Sequence, residues 1–324
     1  MSPDLVVLFE HPEWQKPLWA ALDKRGVSYA KFNLKRAAFD PDALPDARLY
    51  FNQASPSAYV RGNTRAVPFA LSYIRSLELG GARVLNGSRA FLLELSKTAQ
   101  AALLKGLGVA HPRTLAFNDP GIALAQWQGG WPALVKPEQG GSGARIFLLN
   151  GPGELLELLR DESLWLPDNL LMLQEYFPAV DPGRGIIRME FLGGKLLYAM
   201  RVVSHGAFNL CPSVACNPED GGESFCEIPA TAKPVEFYPF PDVDRAAVDA
   251  GERIMAAGGL DVGAIEYLEA TDGRLIFYDI NANSNLRAPI GNAFGFDPFE
   301  RVVDYLIIKI AEITGAPSIA AAAD

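Results

Sequence analysis

The sequence feature that most constrains the fold is a hairpin in the last quarter of the chain, residues 263–286, GAIEYLEATDGRLIFYDINANSNL. Asp272-Gly273 at its centre predicts a two-residue type I′ turn, because both central positions of that turn need a positive φ. Counting outward from the turn places Glu266 directly opposite Asp279. Since side chains alternate along a strand, Asn281 joins them on the same face. The hairpin therefore brings two carboxylates and one amide together.

This pair of carboxylates needs a physical explanation, because like charges placed opposite each other on a sheet repel. The neighbouring residues are apolar and predict burial, and a buried like-charge pair is costly without a cation between its members. Carboxylate and amide oxygens suit Mg²⁺ that is held together with substrate phosphates. The pattern predicts a magnesium site, and its alternative is a solvated hairpin with one acidic face. The apolar neighbours are Ile265, Leu268, Leu275, Ile276, Phe277 and Ile280.

The composition is that of an ordinary globular chain of 324 residues, with 49% hydrophobic and 21% charged residues. Its net charge of −9 argues against a nucleic-acid partner, which calls for a basic face. The N-terminal apolar run, Leu5–Phe9, is too short for a signal peptide, and no stretch approaches the roughly 20 apolar residues of a membrane span. We expect a cytoplasmic protein with no membrane partner. Three cysteines fit no metal-binding spacing and are predicted to be free thiols: Cys211, Cys216 and Cys226.

Strands alternate with helices over the first 90 residues. This alternation predicts right-handed crossovers and a parallel sheet with both faces covered. Ligands of such sheets bind beyond the carboxyl ends of the strands, and no G-x-G-x-x-G follows the first strand, so a dinucleotide site is not expected. In chain order, the predicted strands and helices cover residues 5–10, 13–25, 28–34, 47–53, 67–79 and 83–86.

Two lysines accompany a glycine-rich segment. Lys97 lies on a helix predicted over residues 88–105, where a solvated surface charge is the alternative. Lys136 ends a strand that runs into the turn Gln139–Gly143. Because this turn has few Cβ atoms, its backbone N–H groups can approach phosphate oxygens, and the ammonium of Lys136 can reach the same phosphates. Considered alone, a glycine-rich turn is more often a flexible connection than a phosphate site.

A second hairpin, residues 188–203, carries two arginines. Its turn at Gly193-Gly194 places Arg188 opposite Ala199 and predicts Arg201 on the same face. Two arginines on one face are costly unless anions meet them, which indicates either a phosphate site or a pair of surface salt bridges.

The order of these features resembles the ATP-grasp superfamily. A helical lysine is followed by a strand lysine and glycine loop, the segment QEYF at residues 174–177, the arginine hairpin and the acidic hairpin. Over about residues 86–286, the chain looks most like glutamate-adding carboxylate–amine ligases and glutathione synthetase. The resemblance implies an α/β (α+β) fold. Its parts would be an N-terminal parallel-sheet pre-ATP-grasp domain, residues 1–90, and an ATP-grasp domain, residues 91–320, with a lid subdomain at about 110–175.

The resemblance also implies a role for each motif. The lysines would contact the ATP phosphates, the glycine loop would close over them as a lid, and the QEYF segment would hold adenine. A ribose contact is usual two residues before the first hairpin arginine, where this chain has Ile186, so Asp181 could replace it. The implied nucleotide contacts are Lys97, Lys136, Gly140, Gly141, Ser142, Gly143, Gln174, Glu175, Tyr176, Phe177, Asp181 and Asn209.

Two further groups of residues would serve the chemistry. Arg188 and Arg201 would neutralise charge on the γ-phosphate and on an acyl phosphate. Two Mg²⁺ ions would be bound by Glu266, Asp279 and Asn281.

The implied activity is ATP- and Mg²⁺-dependent ligation of a carboxylate to an amine through an acyl phosphate, with release of ADP and phosphate. The substrates would be small molecules of amino-acid or peptide type, and the resemblance allows a homodimer. One alternative is a ligase that modifies a ribosomal or precursor peptide, and His205 could touch substrate in either case. Another alternative is a non-catalytic nucleotide-binding regulatory protein, on account of Ile186 and the unusual run Ala282–Asn285 after the metal residues.

Overall fold

The computed structural model describes residues 2–141, 143–178, 185–204 and 235–315. Their strands form three sheets, of four, five and four strands. No helix within these ranges is both long and apolar enough to cross a membrane. Strands of two of these sheets, together with a segment that follows a strand of the parallel sheet, line one cavity. The domain boundaries predicted from the sequence, residues 1–90 and 91–320, stay a prediction.

The first sheet is parallel, as the alternation of strands and helices predicts. Its strand order is β2-β1-β3-β4. Every residue of β1 and β3 is buried, because both faces of the sheet are covered and the strands are nearly continuous apolar runs. The elements are β1 (Leu5–Phe9), α1 (Pro12–Lys24), β2 (Tyr29–Asn33), β3 (Leu49–Gln53), α2 (Ala66–Leu79) and β4 (Val84–Leu85).

The predicted helix over residues 88–105 is wrong, because the structure has two helices there: α3 (Ser88–Leu95) and α4 (Lys97–Gly106). Ser96 between them is extended, with φ −124° and ψ 105°. Its Oγ accepts from the N–H of Ala99 at 3.0 Å, so a side chain that caps α4 also ends α3. The break places Lys97 in the first turn of a helix.

The second sheet, in the order β5-β8-β6-β7, is antiparallel. Two short helices pack their apolar side chains on it, around Leu155 and Ala123. The loop between β6 and β7 contains the glycine-rich segment. The elements are β5 (Thr114–Phe117), α5 (Pro120–Gln126), β6 (Ala133–Pro137), β7 (Phe147–Leu149), α6 (Pro152–Leu158) and β8 (Leu171–Glu175).

The third sheet is also antiparallel, in the order β11-β10-β9-β12-β13. One face packs on the helix α7, and the other shares a core with α1, the last helix and the first sheet. Through Leu5, Val7, Leu49 and Phe51, this shared core joins the third sheet to one face of the first. The elements are β9 (Ile186–Leu192), β10 (Lys195–Val203), β11 (Glu236–Pro239), α7 (Arg245–Gly258), β12 (Val262–Glu269), β13 (Leu275–Asn281), α8 (Ala288–Ala293) and α9 (Pro298–Thr314).

The turn of the β12–β13 hairpin differs from the predicted type I′ turn. Of its two central residues only Gly273 has a φ in the left-handed region, 81°. The Gly273 N–H donates to the carbonyl of Ala270, and the Ala270 N–H donates to the carbonyl of Arg274, both at 2.9 Å. The loop is therefore one residue longer than predicted, and the register near it shifts by one, so that Glu269 faces Leu275.

A β-bulge farther along the same hairpin restores the predicted register. Tyr267 pairs with Phe277, whereas Glu266 pairs with Asp279, which leaves Tyr278 as the extra residue. Asn281 pairs with Ala264, two positions on, and so lies on the face of the two carboxylates. The predicted juxtaposition of the two carboxylates and the amide is confirmed, although two opposite shifts produce it.

The β9–β10 hairpin contains one bulge and no second shift to offset it. Leu192 pairs with Lys195, but the register changes between Leu196 and Tyr198. Arg188 consequently faces Met200, and Arg201 faces Ile187. The prediction that both arginines share one face is wrong, since adjacent residues of a strand point to opposite faces.

Candidate active site

The second and third sheets, with the segment that follows β3 of the first, line a cavity of about 730 Å³. The first sheet contributes the segment after β3, which contains Ser55 and Ser57, and α3 and α4 contribute Glu94 and Lys97. Most of the residues predicted for a nucleotide and metal site line this cavity. They are Lys97, Lys136, Gly140, Gly141, Gly143, Gln174, Glu175, Tyr176, Phe177, Arg188, Glu266, Asp279 and Asn281.

Four of the predicted positions are not in this set. Ser142, Asp181 and Asn209 lie outside the described residues, as do His205 and the three cysteines. Arg201 lies within them, but on the sheet face opposite Arg188, where its guanidinium is over the ring of Tyr238 at 5.9 Å. We therefore assign Arg201 no part in the cavity.

Each of the two opposing carboxylates has a cationic partner. The Nη1 of Arg188 donates to Glu266 Oε1 at 2.6 Å, and the ammonium of Lys97 pairs with Asp279. Burial raises the pKa of Glu266, against the lowering effect of Arg188. Burial acts in the same direction on Asp279, but Lys97, together with Lys136, brings its pKa below the ordinary value. The carboxylate repulsion is thus offset by protein cations drawn from two other elements.

Arg188 belongs to a buried ionic network that the sequence reasoning missed. Its Nε donates to Glu190 Oε1 at 2.7 Å, and Glu190 is fully inaccessible. The hydroxyl of Ser284 also donates to Glu190, and the hydroxyl of Tyr278 donates to Glu266 at 3.0 Å. Glu190 could have been found from the sequence, since residues two apart on a strand share a face.

Lys136 and the glycine-rich loop line one wall of the cavity. The side chain of Lys136 is buried, and burial lowers its pKa to about 8, with the neighbouring Lys97 acting in the same direction. A Cβ on Gly141 would lie 2.5 Å from the Cβ of Ser57 and 2.8 Å from its Cα. The Nε2 of Gln139 donates to the carbonyl of Pro56 at 3.0 Å. The loop therefore packs directly on the segment after β3.

The predicted adenine segment follows the second sheet into the cavity. Gln174 and Glu175 end β8, and Tyr176 and Phe177 continue from it. Gln174 is buried and donates from Nε2 to Thr114 Oγ1 at 3.1 Å. Apolar side chains complete the walls of this end of the cavity, and they are Leu134, Ile146, Leu148, Ile186 and Leu268.

No family model matches the sequence. A probable alpha-L-glutamate ligase of Teredinibacter turnerae is 26% identical over 271 residues, which are 83% of this chain and 79% of the relative. A tetrahydromethanopterin:alpha-L-glutamate ligase of Methanosarcina acetivorans is 27% identical over 262 residues, 76% of each chain.

Solved structures give a more extensive match. ATP-grasp ligase PsnB complexed with its minimal precursor superposes with a TM-score of 0.66 at 17% identity, over 95% of this chain and 100% of that chain. A D-alanine–D-alanine ligase from Bacillus anthracis complexed with ATP superposes with a TM-score of 0.66 at 13% identity, over 97% and 99% of the two chains. The chain has the ATP-grasp fold. The resemblance inferred from the motifs is confirmed, and so is the predicted class of enzyme, an ATP-dependent carboxylate–amine ligase.

The residues of the ATP-grasp cavity fit a magnesium–nucleotide complex. Glu266, Asp279 and Asn281 offer oxygen atoms of the kind Mg²⁺ prefers. Among the described residues, no group of three His, Cys, Asp or Glu side chains converges as for a metal ion. A cation here would therefore depend on the amide of Asn281 and on ligand oxygens, as expected for Mg²⁺ held with phosphates. The two lysines provide the matching cationic groups.

Proposed function

We propose that this protein joins a carboxylate to an amine, using ATP and two Mg²⁺ ions, and releases ADP and phosphate. The observation that carries the proposal is the opposed pair Glu266 and Asp279, surrounded by Lys97, Lys136 and Arg188 in one cavity beneath a glycine-rich loop. A carboxylate is a poor electrophile, so amide formation requires its activation. Transfer of the γ-phosphoryl group to one of its oxygens gives an acyl phosphate, which an amine can attack.

The cationic residues have separate positions along the triphosphate in this proposal. Lys136 and the backbone of the glycine-rich loop bind the inner phosphates, and Lys97 binds the terminal one. Arg188, held by Glu190, neutralises the charge that develops on the transferred group. Glu266, Asp279 and Asn281 would hold Mg²⁺, which would supply the remaining neutralisation of phosphate charge. The apolar walls around Phe177 hold the adenine ring.

The balance of charge in the cavity supports a requirement for the metal. Lys97, Lys136 and Arg188 are the cationic lining residues, and Glu190, Glu266 and Asp279 are acids joined to them or beside them. Glu94 and Glu175 also line the cavity, so acidic residues outnumber the cationic ones and leave no net positive charge for a triphosphate. A divalent cation that enters with the nucleotide restores the attraction.

Two substrate classes follow from the relatives. The two named relatives add glutamate, which favours an amino acid as the amine, whereas the PsnB complexes contain a precursor peptide, which favours a peptide substrate. The alternative of a non-catalytic regulatory protein is disfavoured, because the described lysines, Arg188 and the metal residues are all present. A homodimer stays a prediction.

The experiment that tests the proposal measures products from ATP and Mg²⁺ with a panel of amino acids, dipeptides and precursor-like peptides. Formation of ADP and phosphate that requires both a carboxylate and an amine is the expected result, and hydroxylamine should trap the activated carboxylate as a hydroxamate. Formation of AMP would contradict the acyl-phosphate route, because AMP implies adenylation. Nucleotide binding with no turnover on any pair would favour the regulatory alternative.

A further inference from the structure

Glu94 is a buried acid in the cavity wall that neither the nucleotide nor the metal requires. It lies near the end of α3, three residues before Lys97, and only 5% of its surface is exposed. Its Oε1 accepts from the backbone N–H of Asn283 at 3.2 Å. Its Oε2 is buried and has no hydrogen-bond partner among the described residues. A buried acceptor without a donor is costly, which indicates that a ligand completes the contact.

Asn283 presents a second buried acceptor that lacks a donor among the described residues. Its side chain is buried and lines the cavity beside Glu94. The Nδ2 donates to the carbonyl of Gln53 at 2.9 Å, and this bond fixes which side of the amide carries the oxygen. The Oδ1 has no partner among the described residues. Two neighbouring side chains thus each offer one unused acceptor at the same wall.

The chemistry of these acceptors selects the ligand. A phosphate or carboxylate carries only acceptors and would be repelled by Glu94. A primary ammonium group carries three N–H donors and a positive charge, which match a carboxylate and an amide oxygen. The cations nearest to Glu94, Lys97 and Arg188, are already paired with Asp279 and Glu266. The missing donor must therefore come from outside the described chain.

The position of Glu94 is also suitable for a reacting amine. Glu94 lines the same cavity as Asp279, Lys97 and Arg188, and it precedes Lys97 by three residues in the chain. Burial raises the pKa of Glu94 to about 8, while the backbone N–H of Asn283 and the charge of Lys97 act to lower it. An ammonium group in contact would lower this pKa and favour the carboxylate form.

We propose that Glu94 and Asn283 form the subsite that binds the primary amine of the second substrate, so that both are specificity-determining residues. This inference rests on the proposed ligase function. The ammonium donates to Glu94 Oε2 and Asn283 Oδ1, and the ammonium then gives one proton to the Glu94 carboxylate. The neutral amine forms the C–N bond as the C–O bond to phosphate breaks. The phosphate leaves with the electron pair and takes the second amine proton, and Glu94 returns its proton to solvent.

The subsite can be tested by binding, without any turnover. Calorimetric titrations, with and without ADP and Mg²⁺, would compare each of three amino acids with the acid that lacks the amine: L-glutamate with glutarate, L-alanine with propanoate, and glycine with acetate. The wild-type protein should bind at least one amino acid about tenfold or more tightly than its partner, the gain typical of a charge-assisted hydrogen bond. Glu94→Gln, which keeps the shape of the side chain, should remove that gain, and Asn283→Ala should reduce it.

Two controls separate this subsite from folding and from the proposed function. Glu157→Gln, at a side chain that is 68% exposed, should keep the full gain. Unchanged affinity of Glu94→Gln for ADP with Mg²⁺ shows that the variant is folded. The inference is overturned if no amino acid exceeds its partner, or if the gain persists in Glu94→Gln. Failure of the wild-type protein to bind ADP would instead count against the proposed ligase function. The two failures can be told apart, because the amino-acid titrations are also made without nucleotide.

Discussion

Arg188 is ion-paired with both Glu190 and Glu266, and the energetic cost of removing this buried cation can be compared with that of an exposed pair whose N–O distance matches the Arg188–Glu190 pair. The N–O distance is 2.7 Å in this pair, with side chains that are 5% and 0% exposed. Substitution of Arg188 by Met keeps part of the apolar stem but leaves two buried carboxylates, Glu190 and Glu266, without their cation. Removing one member of a buried pair costs about 3–5 kcal/mol, so we expect a loss of that size in the free energy of unfolding.

The matched control is Arg245→Met. Arg245 also lies 2.7 Å from its partner, Asp249, but the two side chains are 79% and 53% exposed. Exposed helical pairs of this spacing contribute about 0.3–0.5 kcal/mol, so the control should be nearly neutral. Urea titrations at pH 7 without nucleotide, followed by far-ultraviolet circular dichroism, give both values.

A double substitution identifies the cause of the loss. If an uncompensated charge destabilises Arg188→Met, adding Glu190→Gln removes one of the two charges and should recover about 1–3 kcal/mol. Mere loss of packing would make the double variant less stable than the single one. That result, or a cost of Arg188→Met no larger than that of Arg245→Met, would refute the buried ionic network.

Three further predictions concern the cavity. Gly141→Ala should weaken binding of ADP with Mg²⁺, measured by calorimetry, about 5- to 150-fold. The new Cβ would overlap the backbone of Ser57, and overpacking of this kind costs about 1–3 kcal/mol. The control Gly153→Ala places its Cβ in open space and should leave the affinity unchanged. Burial lowers the pKa of Lys136 in the folded protein to about 8, from an ordinary value of 10.5. Between these two values the unfolded chain binds more protons than the folded protein, so the free energy of unfolding rises with pH. Urea titrations at pH 8 and 10 should show a smaller rise in Lys136→Met than in the wild-type protein, and an equal rise would contradict the buried position of Lys136. Asp279→Asn should abolish Mg²⁺-dependent ADP formation while the circular dichroism spectrum is retained, and a fully active variant would exclude Asp279 as a metal ligand.

Local patterns in the sequence were sufficient to predict the parallel N-terminal sheet and the hairpins, and the resemblance to the ATP-grasp superfamily added site residues of which most line the cavity. Turn chemistry was less reliable. The type I′ turn predicted at Asp272-Gly273 is a longer loop, and the register it changes is restored by the bulge at Tyr278. The carboxylate pair was therefore predicted correctly, although one of the two shifts alone would have separated Glu266 from Asp279.

The arginine hairpin shows the same limitation with the opposite outcome. Its single bulge, between Leu196 and Tyr198, moves Arg201 to the other face of the sheet. A bulge depends on how a strand packs on elements that are distant in sequence, so the alternation of side chains along β10 does not reveal it. Register predictions from a turn hold only up to the first bulge.

The amine subsite depends on a contact that the sequence pattern conceals. A continuous helix over residues 88–105 would place Glu94 and Lys97 three residues apart on one face. That spacing predicts a solvated ion pair between them. Ser96 breaks that helix, and the two charges then have separate partners: Lys97 pairs with Asp279 on β13, and Glu94 accepts from the backbone of Asn283, just after β13. Because the lysine is already neutralised by Asp279, the second oxygen of Glu94 remains available to a donor from outside the described chain. The helix break thus converts a local charge pair into two separate functional contacts, one suited to a phosphate and one to an amine.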